Sequence, residues 1–161
     1  MTHTRLTAHA RRALLAAAVS IALLGGTAVG PAWAQEGPGV RAGLSTSPDQ
    51  FYFGGHYVTH PLTGMLRFQP NVEAGVGSDR TTIAFNGEFA LWRKVSTDWH
   101  VYLGAGPAMN VYRNTVRDRT DVEPGFNVVA GLRRRGGLFV EMKIGTIDSP
   151  AFKIGVGYTI R

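Results

Sequence analysis

The side chains able to do chemistry fall into four sets. The first is histidine with serine. After residue 34 the chain carries His56, His60 and His100, together with Ser45, Ser47, Ser78, Ser96 and Ser149. A hydroxyl nucleophile needs its base within hydrogen-bond reach. No His-x-Ser spacing occurs, and the turn pattern described below sends Ser78 to one end of the molecule and His60 and His100 to the other. Each histidine therefore reads as a polar interior or turn residue, and the chain as a non-enzyme. The second set is Asp118, Asp121 and Glu123, oxygen donors of the kind that suit calcium or magnesium. Their spacing matches no binding loop, so they read as solvated acids, and neither metal nor cofactor is expected. The third is arginine. Arg113, Arg117 and Arg119 share that stretch, and Arg133, Arg134 and Arg135 form a run. A guanidinium matches phosphate oxygens bidentately, so both groups are candidates for phosphate contact. The fourth is dispersed: Arg67, Glu73, Glu88, Arg133, Glu141, Lys143 and Lys153. These charges are few and of both signs. Brought to one side of a fold, they would form an internal ion-pair network.

The elements that must position these residues are strands. Residues 35–161 hold no convincing amphipathic helix but repeat a period of two between turn clusters. Eight strands are expected: 39–45, 50–58, 65–77, 82–92, 99–112, 125–133, 138–145 and 152–161. Strand three alternates Leu66, Phe68, Val72, Ala74 and Val76 against Arg67, Gln69, Asn71 and Glu73. The last strand sets Phe152, Ile154, Val156, Tyr158 and Ile160 against Lys153, Gly155, Gly157 and Thr159. Arg134-Arg135-Gly136-Gly137 suits a tight hairpin, because glycine tolerates positive φ. The longest connection expected is Arg113–Glu123. Pro70 and Pro107 interrupt strands three and five, where each removes a ladder donor. A bulge or a local break is expected at each.

Composition sets the compartment. Arg5, Arg11 and Arg12 precede an apolar run from Ala13 to Val29, and Ala32-Trp33-Ala34 fits a small-x-small cleavage site. Residues 1–34 are thus expected to be a secretory signal peptide, with 35–161 the mature domain. The absence of cysteine removes disulfide and lipoprotein-anchor chemistry. The formal charge of +6 falls to +3 once the three leader arginines are gone, which argues against a nucleic-acid partner.

Alternation does not say which face is inside. Four features place the apolar face against lipid. The polar face is rich in small residues (Gly75, Gly104, Gly106, Gly131, Gly145, Gly155 and Gly157), as the interior of a narrow barrel requires. Its charges are sparse and balanced. Aromatics collect toward strand ends: Phe51, Phe85, Tyr112, Phe126 and Phe152 at one, Tyr57, Phe68, Trp92, Trp99 and Tyr158 at the other, as two interfacial girdles would. Finally, eight membrane-crossing strands of about 9–11 residues consume the mature length. The expected fold is all-β, an eight-stranded antiparallel up-and-down transmembrane barrel. The alternative is a soluble lipid-binding barrel with its apolar face inward.

The chain resembles the small eight-stranded outer-membrane barrels, the OmpA transmembrane domain and OmpX among them. The resemblance extends as a pattern over the mature chain and is sharpest in Ile154-Gly-Val-Gly-Tyr158-Thr-Ile160, which is similar to that family's closing strand. The family usually ends in Phe or Trp; here the hydrophobe is Ile160, followed by Arg161. The resemblance implies a bacterial outer-membrane location, a monomeric barrel, and recognition of Tyr158 and Ile160 by the outer-membrane assembly machinery. It also gives the phosphate contacts a source, with lipopolysaccharide at Arg113, Arg117 and Arg119 and membrane lipids around the wall. A structural or surface-interaction role with a plugged lumen is expected. A small porin-like channel and a lipid A-modifying enzyme of the His-with-Ser kind are the alternatives.

Overall fold

The structure is a computed structural model that describes residues 36–114 and 119–160. The expected signal peptide, Arg117, Asp118 and Arg161 lie outside the described residues. Eight strands form in order: β1 (Gly37–Thr46), β2 (Gln50–Val58), β3 (Leu66–Val76), β4 (Arg80–Lys94), β5 (Trp99–Asn114), β6 (Arg119–Arg134), β7 (Leu138–Ile147) and β8 (Phe152–Thr159). Each pairs antiparallel with the next, and β8 returns to β1 to close the barrel. The closing ladder runs from Gly39↔Thr159 to Thr46↔Phe152, so neither terminal strand leaves an open edge.

The period of two decides the two surfaces. Arg41, Glu73, Asn86, Glu88, Asn127, Glu141 and Lys143 are buried inside, while Leu44, Val72, Leu91, Leu103, Met142 and Ile154 are exposed outside. Leu103 is 61% exposed and Glu88 0%. This inverts the distribution of a water-soluble barrel, whose apolar face must look inward. It overturns the soluble alternative. An exterior band of this extent is far larger than the apolar patches a soluble monomer tolerates.

The glycines of the inner face have a specific partner. Tyr102 lies across Gly131, its cross-strand neighbour, and Phe139 lies across Gly157. Tyr52 spans both Gly43 and Gly155. A Cβ at Gly131 or Gly157 would land on the ring, one at Gly155 on the Tyr52 hydroxyl, and one at Gly43 on the Ile154 carbonyl oxygen with the Tyr52 hydroxyl close behind. The aromatic residue on one strand thus occupies the side-chain space that its neighbour gives up.

Two expectations need correction, and a third resolves to one of its two forms. The connection at Arg113–Glu123 is mostly strand: β5 and β6 stay paired as far as Asn114↔Arg119. Thr120 and Val122 suit a strand, and each has a partner to bond, so the ladder continues beyond the apolar band. Next, Trp92 and Tyr112 do not belong to outward girdles. They share strand parity with Glu88 and Asn110 respectively, and are 5% exposed, facing the lumen. Phe85, Phe126 and Phe152 toward one end, and Tyr57 and Trp99 toward the other, do face outward. Of the two accommodations expected at the prolines, a bulge or a local break, the local break forms. The β4–β5 ladder lapses between Asn86↔Ala108 and Phe89↔Ala105 and resumes in the same register, and the β2–β3 ladder stops at His56↔Asn71, just before Pro70. The missing donors are accommodated by local loss of pairing. Gly55, Pro70, Gly87 and Pro107 consequently form the floor of a shallow groove in the outer wall.

Candidate functional site

The centre of the lumen is a buried charge cluster. Alternation aims Glu73 from β3, Glu88 from β4, Glu141 and Lys143 from β7 and Lys153 from β8 at one another. Lys143 Nζ lies 2.7 Å from Glu73 Oε1 and 2.8 Å from Glu88 Oε1. Lys153 Nζ donates to Glu73 Oε2 at 2.7 Å. Arg41 joins them from β1, at 2.7 Å from Glu141 and 3.5 Å from Glu73. Tyr102 donates its hydroxyl to Glu141 at 2.8 Å. Glu73 is the hub: it meets Lys143, Lys153 and Arg41. Three carboxylates therefore face three cations in a water-poor interior. A buried ion costs several kcal/mol to desolvate, and only close, multiple pairing offsets that.

Beside this cluster runs a polar ladder. Asn127 donates to Asn86 at 2.8 Å, and Asn86 to Asn71 at 2.7 Å. Lys143 reaches Asn71 Oδ1 at 3.3 Å, which joins the ladder to the charges. Four strands, β3, β4, β6 and β7, are thus tied across the barrel by side chains in addition to the sheet.

Two of the expected network members are placed elsewhere. Arg67 lies at the β2–β3 end and pairs with Glu36 at 2.8 Å, with its guanidinium 5.1 Å from the Trp92 ring centre. Arg133 is fully buried, but no carboxylate of a described residue is its ion-pair partner. Its guanidinium lies 4.9 Å from the Trp92 ring centre and 4.3 Å from that of Phe139, and it donates to Thr159 Oγ1. Aromatic faces take the place of an acid there. Trp92 in turn stacks on Tyr102 at 5.1 Å. Arg41 is the member that sequence reasoning missed. The signal was present, since Arg41 sits between Val40 and Ala42 and so falls on the inward side of β1.

The remaining candidates occupy the two ends. His56 is a buried lumen residue bonded to Thr159 Oγ1 at 3.0 Å. His60, in the β2–β3 turn, contacts Glu36. At the opposite end Arg119 Nε lies 2.7 Å from Asp121, and Arg113 is exposed beside them at the end of β5. Of the closing residues, Tyr158 pairs with Val40 on one side and Leu138 on the other, and Ile160 donates its N–H to Pro38 O at 2.7 Å.

Comparison with solved structures finds this architecture among small membrane barrels. The chain is similar to the N-terminal β-barrel domain of Pseudomonas aeruginosa OprF, with a TM-score of 0.58 and 14% identity over 76% of this chain and 95% of that one. It is similar to Neisserial surface protein A, with a TM-score of 0.55 and 13% identity over 76% of this chain and 94% of that one. At these identities the likeness establishes the fold. No protein-family model and no curated protein matches the sequence.

Proposed function

We propose that the chain is a bacterial outer-membrane β-barrel with a structural or surface-interaction role and a lumen closed by its own side chains. One observation carries this reading: charged and amide groups fill the interior while the whole exterior belt is apolar. A surface of that kind needs hydrocarbon around it, and a closed eight-stranded barrel satisfies every backbone group inside a bilayer. An even number of strands returns both chain ends to one side, the periplasm. The β1–β2, β3–β4, β5–β6 and β7–β8 turns then face outward. Arg113 and Arg119 stand at that outer end as contacts for lipopolysaccharide phosphates, and Arg117, in the same stretch of sequence, is proposed with them. Tyr158 on β8 and Ile160 just beyond it belong to the closing segment the assembly machinery would read.

The role is non-catalytic in this reading, and the charge cluster plugs the barrel rather than lining a path. Fractionation tests the location: the protein should partition with outer membranes and migrate differently on a gel before and after heating. Recovery as a detergent-free soluble monomer would refute the reading. Planar-bilayer recording tests the plug, with no steady conductance expected from the folded barrel. A stable open state would favour the small channel instead.

A further inference from the structure

We propose that Arg93, Trp99 and Arg134 form a site for the phosphate headgroup of an anionic phospholipid in the periplasmic leaflet. The inference rests on the membrane reading above and adds a ligand and a place to it.

Three adjacent strands build the site. Arg93 is on the outward side of β4, directly below Leu91; Arg134 is on the outward side of β6, directly below Leu132. Trp99 starts β5 between them. It pairs with Arg134, and the residue above it on the same face, Val101, pairs with Arg93. Leu91, Val101 and Leu132 are exposed and mark the lower edge of the apolar belt, so the two arginines and the indole lie where the belt ends. Neighbouring strands are about 4.8 Å apart, which puts two guanidiniums on either side of one indole within reach of a single phosphodiester. Tryptophan is the residue expected at that depth, with its ring in the acyl boundary and its N–H toward the headgroups.

The charge is concentrated and one-sided. The β4–β5 and β6–β7 turns are joined, with the Arg135 N–H donating to Asp98 O at 2.7 Å. Between them they carry Arg93, Lys94, Arg134 and Arg135, all exposed, and Asp98 is the only acid in either turn. Lys94 and Arg135 extend the positive field into water below the site. The third turn at this end, residues 59–65, has no lysine or arginine and exposes Leu62 and Met65; the nearby Arg67 is turned inward onto Glu36. A uniformly solvated rim would have no reason to segregate its charge in this way. An anionic headgroup beneath one wall gives it one, because each cation near an anionic surface strengthens binding roughly fivefold.

Trp99 also supplies the measurement, being the tryptophan that faces outward among the described residues, whereas Trp92 is enclosed in the lumen. In a Trp33→Phe background, the full chain would be reconstituted in phosphatidylcholine vesicles containing brominated phosphatidylglycerol or brominated phosphatidylcholine, and quenching followed against mole fraction. Brominated phosphatidylglycerol should quench at a mole fraction at least fivefold lower. Arg93→Gln with Arg134→Gln should bring the ratio close to one, and Arg80→Gln, on the opposite rim, should leave it unchanged. High salt should lower the ratio in the parent, which decides the matter if the double variant does not assemble. Equal quenching by the two lipids in the parent, or an unchanged ratio in the double variant, overturns the site while leaving the membrane reading intact. Absence of quenching by either lipid, with protein left outside the vesicles, overturns both.

Discussion

Two levels of the same lumen bury cations by different means. In the middle, Arg41, Lys143 and Lys153 are held by Glu73, Glu88 and Glu141. Toward the end that carries the β4–β5 and β6–β7 turns, Arg133 is held by the faces of Trp92 and Phe139 and by one threonine hydroxyl. The first arrangement depends on both partners. Removing either leaves a charge with fewer partners in a place where it cannot reach water. The second depends on neutral groups, so loss of the cation strands nothing. Burial of charge is therefore a fragile device in one place and a tolerant one in the other, although the residues belong to the same few strands.

The sharpest way to break this contrast is at the hub. Glu73→Gln leaves Lys143, Lys153 and Arg41 with one fewer acid, and should cost about 3–5 kcal/mol. Urea unfolding in lipid vesicles, followed by tryptophan emission, measures it. A parent-like unfolding midpoint would show that the ion pairs do not hold the lumen. Within the cluster, Lys143→Met and Glu88→Gln should be coupled by about 0.5–3 kcal/mol in a double-mutant cycle, because the two groups are 2.8 Å apart. Additive losses would mean that Glu88 is sustained by something other than Lys143.

At the lower level, Gly157→Ala places a methyl where the Phe139 ring lies and should cost about 1–3 kcal/mol by overpacking. Arg133→Met should cost less than Glu73→Gln, about 1–2 kcal/mol, since a thioether also packs between two rings and no acid is exposed. If the Arg133 variant were as damaged as the Glu73 variant, the distinction between the two levels would fall. The smallest effect is expected for Gly136→Ala, where a methyl meets nothing within 4 Å. It should stay within about 0.5 kcal/mol of the parent, which marks the loss at Gly157 as steric.

Much of the barrel was legible from the sequence because a strand's side chains have only two directions. Leu66 to Val76 and Phe152 to Ile160 state their faces residue by residue, and the inward placement of Glu73, Glu88, Glu141, Lys143 and Lys153 follows from parity. Position along the strand is a weaker guide than parity: it assigns Trp92 and Tyr112 to the girdles, whereas both are in step with lumen residues. The extent of the β5–β6 hairpin was hidden because polar pairs such as Asn110↔Glu123 and Asn114↔Arg119 carry no alternation to read.

The sequence by itself determined the number of strands, their order and the side to which each residue turns, because those follow from local spacing and turn chemistry. Partner choice across the lumen is another matter. Arg133 and Lys143 are both inward cations on neighbouring strands, and nothing local distinguishes them. Barrel closure brings Glu73 and Glu88 to Lys143 and leaves Trp92 and Phe139 at Arg133, since the stagger between strands fixes which inward residues share a level. The joining of the two basic turns beneath Trp99 is likewise a matter of inter-strand register, fixed by the pairing of Trp99 with Arg134, for Arg93 and Arg134 lie 41 positions apart in the chain.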